Sequence, residues 1–116
     1  MNGGGTTMID KIRQVFHDEL EICDIRKLAT FEYEIDTIGY NYYYSDYKLP
    51  MGTFSLMMDY GLNNIRIMQS KRVSKAESYL ITIRFTVNLE RLEERLQEDK
   101  EWRERWEQLN QQRNTS

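Results

Sequence analysis

A chain of 116 residues has the length of one domain, and 40% hydrophobic with 30% charged residues is a globular composition, which excludes an intrinsically disordered chain. A net charge of -3 argues against a dedicated nucleic-acid binder. One cysteine and one histidine exclude an intrachain disulfide and a Cys/His zinc site built from a single chain. No apolar run approaches the ~18 residues of a membrane span, and residues 1–15 hold no apolar stretch of a secretory signal. A cytoplasmic protein with no membrane association is expected.

Residues 1–6 (MNGGGT) read as a flexible leader, because consecutive glycines do not hold one backbone conformation cheaply. A phosphate loop would need a preceding strand and a following Lys-Ser/Thr. Ile9, Ile12, Phe16, Leu20 and Cys23 recur at helical spacing, and Thr7 with Asp10 resembles a capping box, so a helix is expected over about residues 8–22. His17 and Cys23 lie six positions apart, about 240° around such a helix, and form no base–nucleophile pair. Cys23 on the apolar stripe is expected to be a small buried hydrophobe.

Over residues 30–37 the period changes to two. Phe31, Tyr33 and Ile35 alternate with Glu32, Glu34 and Asp36, which predicts a half-buried strand with a wet acidic face. Carboxylates ~6.6–6.8 Å apart along a strand have two readings here, a solvated face or a row that imitates nucleic-acid phosphates for a protein partner. A straight strand does not converge them on a calcium ion.

After Gly39 comes the most unusual run of the chain, Y-N-Y-Y-Y-S-D-Y, expected as a second strand over Tyr40–Tyr47. Alternation puts Tyr40, Tyr42 and Tyr44 on one face, with Tyr43 and Tyr47 elsewhere, and both faces cannot easily be core. The readings are sheet packing, a protein-binding surface of the kind tyrosine favours, and stacking on bases or a ligand. Leu49 to Gly52 reads as a turn, and alternation of Phe54, Leu56, Met58 and Tyr60 predicts a strand over 53–60. A turn follows at residues 61–64, where Gly and Asn tolerate left-handed angles. Ile65 to Val73 is expected as a strand whose end carries Lys71 and Arg72. With Lys75 these form a small basic knob, suited to blunting a strand edge or to contacting phosphate or an acidic partner.

Ser78 to Val87 is the clearest strand, with Tyr79, Ile81, Ile83, Phe85 and Val87 on one face. Asn88 then caps a helix over about residues 89–112 that is rich in Glu, Arg and Gln. Leu89, Leu92 and Leu96 form a stripe able to dock on a sheet. Residues 97–101 are wholly polar, and Trp102, Trp106 and Leu109 then resume an apolar stripe rotated by roughly a quarter turn or more. The second half is therefore expected to leave the body of the domain and to contact another chain. A second copy in a symmetric, antiparallel or crossed dimer is the expected partner, because no sustained heptad supports a long parallel coiled coil. The alternative is that this end folds back on its own sheet.

The fold class is thus α+β, with an N-terminal helix, a four- to five-stranded mostly antiparallel sheet and a long C-terminal helix, in one domain spanning residues 7–116. The expected core joins Phe31, Tyr33, Ile35, Phe54, Leu56, Met58, Ile81, Ile83 and Phe85 to Ile12, Phe16, Leu92 and Leu96. Charge is segregated, at -4 over residues 1–50, +3 over 51–88 and -2 over 89–116.

The sequence carries no metal cluster, nucleophile–base pair, phosphate cradle or dinucleotide fingerprint. It therefore gives no support to an enzyme or to any cofactor. Surplus tyrosine and tryptophan point to a protein-binding module that forms a homodimer and does not bind nucleic acid directly. By analogy of class alone, small acidic α+β chains of this kind include phage and mobile-element inhibitors of host defence nucleases, such as anti-CRISPR proteins. A self-assembling structural subunit is one alternative. A small-ligand binder, or an enzyme with a site at an oligomer interface, is another.

Overall fold

The computed structural model describes residues 7–16, 20–39, 47–73 and 78–115. In chain order these form α1 (Met8–Val15), β1 (Glu21–Ala29), β2 (Glu32–Gly39), α2 (Met51–Asp59), β3 (Leu62–Arg72), β4 (Tyr79–Val87) and α3 (Leu89–Thr115). The fold is α+β, as expected. The four strands form one antiparallel sheet in the order β1-β2-β4-β3. Because β2 and β3 both run antiparallel to β4, they point the same way, and α2 lies on the crossover between them.

The hydroxyl oxygen of Thr7 accepts the amide N–H of Asp10 at 3.1 Å and starts α1. The helix is shorter than its apolar spacing predicts. It ends at Val15, and the Phe16 amide closes the last turn on the Arg13 carbonyl at 3.2 Å. Residues 21–29 form a strand instead, paired with β2 through the turn at Thr30–Phe31. Leu20, Ile22 and Ile25 pack with the core from β1 and the residue before it. A register shift between Ile22 and Asp24 leaves Cys23 exposed, so its expected burial is wrong.

The central pair sets the core. Tyr33, Ile35 and Thr37 of β2 lie opposite Phe85, Ile83 and Ile81 of β4, and all six are buried. Ile12 and Val15 of α1, Phe16 at its C-cap, Met57 of α2 and Leu92 of α3 join one cluster on this side of the sheet, so the three helices share one face. Among the core residues named from the sequence, Tyr33, Ile35, Ile81, Ile83, Phe85, Ile12, Phe16 and Leu92 are buried, and Leu56 and Leu96 are partly so. Phe31 is exposed because it sits in the β1–β2 turn.

Residues 51–59 are a helix and not the expected strand. Thr53, Met57 and Tyr60 are buried at spacings of four and three, while Met51, Phe54 and Met58 face out. Leu56, Met57 and Met58 are apolar in succession, so the segment fits either period. The connection between two strands that point the same way favours a helix. At the turn into β3, Gly61 has φ +81°. A Cβ there would lie 2.9 Å from the Asn88 carbonyl oxygen. The Gly61 carbonyl accepts the Asn88 amide at 2.8 Å, fixing this turn against the start of α3.

Candidate functional site

Asn88 caps α3, its side-chain oxygen accepting the Arg91 amide at 3.2 Å. Leu92 is fully buried and Leu96 packs against the core, which seats the first half of the helix on the sheet. Two polar contacts clamp that half from either side. Lys11 of α1 reaches Glu93 at 3.3 Å. At the end of α2, Asp59 accepts Arg95 Nε at 2.9 Å and Arg91 Nη2 at 3.1 Å. The Arg95 guanidinium lies 4.5 Å from the centre of the Tyr60 ring, and the Tyr60 hydroxyl donates to Asp99. The Arg95 hydrogen bond holds the Asp59 carboxyl below its ordinary range. Burial, then the bond to Asp99, pushes the Tyr60 phenol up to about 12.

Arg95 and Asp99 lie on one face of α3, and Trp102, Trp106, Leu109 and Arg113 continue it at spacings of three and four. The contacts of α2 with α3 run from Arg91 to Asp99. From Lys100 to Leu109 every side chain is exposed. Trp102 is 61% exposed, Trp106 51% and Leu109 47%. These are the only two tryptophans of the chain. Back-folding of this end onto the sheet does not occur. The stripe the sequence singled out is a bare apolar face on a helical arm.

The acidic strand residues are placed differently from an open row of charge. They lie on the sheet face opposite the helices. Arg26 of β1 donates to Glu34 at 2.7 Å, to Asp36 at 2.7 and 2.9 Å, and to Asp24 at 2.8 Å. Arg84 of β4 donates to the other Glu34 oxygen at 2.9 Å, and the Thr82 hydroxyl to Asp36 at 2.8 Å. Glu32 lies 3.6 Å from Arg66. The hydrogen bonds from Arg26 hold both the Glu34 and Asp36 carboxyls below the ordinary range. This face is a cross-strand lattice of matched charges. Sequence reading missed Arg26 because no strand was expected over residues 23–29; Arg84, on the outer face of β4, was the available signal.

Tyr47 is exposed, with φ 60°, beside a groove of about 390 Å³ that Lys48, Leu49, Phe54, Ile65 and Ile67 also line. Tyr40, Tyr42, Tyr43, Tyr44, His17 and Lys75 lie outside the described residues. Lys71 and Arg72 sit on the exposed end of β3, an edge strand. Among the described residues no group of three or more His, Cys, Asp or Glu side chains is placed to hold a metal ion, and no helix is long and apolar enough to cross a membrane. No family model, curated protein or solved structure matches the chain.

Proposed function

We propose that this chain is a protein-binding module, without catalytic chemistry of its own, that works as a homodimer and meets its protein contacts through the distal half of α3. The observation that carries the reading is the exposure of Trp102, Trp106 and Leu109 on one face of a helix whose opposite end is anchored in the core. Two indoles held in water by a rigid arm cost free energy that a protein surface would recover. Tryptophan is also among the residues that dominate binding energy at interfaces.

The narrower reading is an inhibitor of a nucleic-acid-binding defence enzyme, encoded by a phage or mobile element. Its support is the class of small acidic α+β chains. The acidic strand face adds nothing to it, because Arg26, Arg66 and Arg84 already answer Glu32, Glu34 and Asp36.

Both tryptophans lie on the arm, so tryptophan emission, excited selectively over the eight tyrosines, reports this surface alone. On concentrating the chain, the emission should shift to shorter wavelength and become protected from a soluble quencher. Emission that stays exposed at every concentration, with a monomeric mass, would remove the homodimer from the reading.

A further inference from the structure

We propose that the β3 edge of the sheet binds an extended segment of a protein partner in which acidic and apolar residues alternate, added as a fifth strand along residues 65–69. This surface lies on a different element from the tryptophan arm and stands apart from the homodimer reading.

Three observations carry it. The first is the edge. Among the described residues β3 pairs with a strand on one side only, β4. The backbone along the other side is the template an added strand requires. The second is a groove. Ile65 and Ile67 of β3 are half-buried and, with Phe54 of α2 and Tyr47, Lys48 and Leu49 before it, line a groove of about 390 Å³. An apolar groove between an edge strand and a helix receives every second side chain of an added strand.

The third observation is charge. On the outer face one row runs Arg26, Glu34, Arg84, Arg66 from β1 to β3. Arg26 and Arg84 both donate to Glu34. Arg66 stands opposite another cation, Arg84, and its side chain is 60% exposed. Its nearest carboxylate, on Glu32, is 3.6 Å away, past hydrogen-bond length. A carboxylate opposite Arg66 on a fifth strand completes the row with a cross-strand ion pair. Lys71 lies opposite Leu80 on the same face, Lys48 lines the groove, and β3 itself carries no carboxylate. A second copy of β3 fits badly, because it brings the same cations and because the register shifts on both sides of Arg66 and Ile67 mismatch two such edges.

The probe is a fluorescein-labelled peptide, Glu-Val-Glu-Phe-Glu-Val-Glu, titrated with the full chain at low salt by anisotropy. Its controls are a twin with Lys at every Glu and a twin of the same composition with the four Glu residues first. Amide exchange of the chain is followed with each. The expected result is saturable binding of the first peptide, at least tenfold weaker binding of both twins, and protection of the amides of residues 65–69. Arg66→Glu, at an exposed position whose fold circular dichroism checks, should weaken the first peptide at least tenfold. No binding, equal binding of either twin, or binding that leaves residues 65–69 unprotected would overturn the proposal. Protection of those amides that rises with chain concentration and needs no peptide would assign the edge to a second copy and overturn it as well.

Discussion

The Tyr60 hydroxyl donates a hydrogen bond to the Asp99 carboxylate across the junction of α2 and α3, under the guanidinium of Arg95. This contact divides α3 into a seated half and a projecting half. It also gives the phenol a distinctive titration. Tyr60 is pushed up to about 12 by burial and by Asp99, whereas an unfolded tyrosine titrates near ~10. A raised pKa contributes stability that is complete below the unfolded value and is lost as the pH rises through the folded one. Tyrosinate absorbance should therefore show a late-titrating contribution from Tyr60. Tyr60→Phe should abolish it and lower stability by ~0.5–1.5 kcal/mol at neutral pH, read from urea midpoints.

The sheet core makes a sharp contrast between two positions. Ile83 is fully buried opposite Ile35, so Ile83→Ala should cost ~2–5 kcal/mol. Phe31 lies exposed in the β1–β2 turn, and Phe31→Ala should change stability by no more than ~0.5 kcal/mol. Thermal melts of the two variants beside the parent chain decide this. Equal losses would contradict the placement of Phe31.

Those two residues also show where sequence reading succeeds. Tyr33, Ile35, Ile81, Ile83 and Phe85 were legible because the alternation in β2 and β4 is uninterrupted and the register keeps it on one face. Phe31 belongs to the same alternation, yet it falls in the turn, and periodicity carries no information about where pairing stops. Cys23 was misplaced because Ile9, Ile12, Phe16 and Leu20 continue to it at helical spacing, while the register shift that exposes it depends on pairing with β2. The segment 51–59 has apolar residues at both two-fold and helical spacing, and only its place on the crossover separates them. At the candidate site, the rotation of Trp102 and Trp106 away from Leu92 and Leu96 was readable from residue numbers alone. The clamp from Asp59 and Tyr60 was not, since it depends on α2 being a helix.

Gly61 is a backbone requirement. Its φ of +81° disfavours an L side chain, and a Cβ would press on the Asn88 carbonyl oxygen at 2.9 Å. Gly61→Ala should destabilise by ~1–3 kcal/mol in chemical denaturation. A stabilised Gly61→Ala variant would contradict the left-handed turn that anchors α3.

Acid should loosen the outer sheet face. Arg26 holds the Glu34 and Asp36 carboxyls below their ordinary values. A depressed folded pKa contributes stability that is complete above the unfolded value, ~4 for carboxylates, and is lost as the pH falls through the folded value. Urea midpoints should therefore fall as the pH drops below ~4, and Arg26→Met should flatten that fall. An Arg26→Met chain with an unchanged acid limb would show that the lattice contributes nothing to stability.

The projecting half of α3 is the centre of the account, and oligomeric mass tests it most directly. Light scattering on the parent chain and on Trp102→Ala/Trp106→Ala, at ~100 μM and again after hundredfold dilution, should give a dimer that dissociates on dilution and a folded monomer for the double variant at both concentrations. A parent chain that is monomeric throughout, or a double variant that remains dimeric, would contradict it.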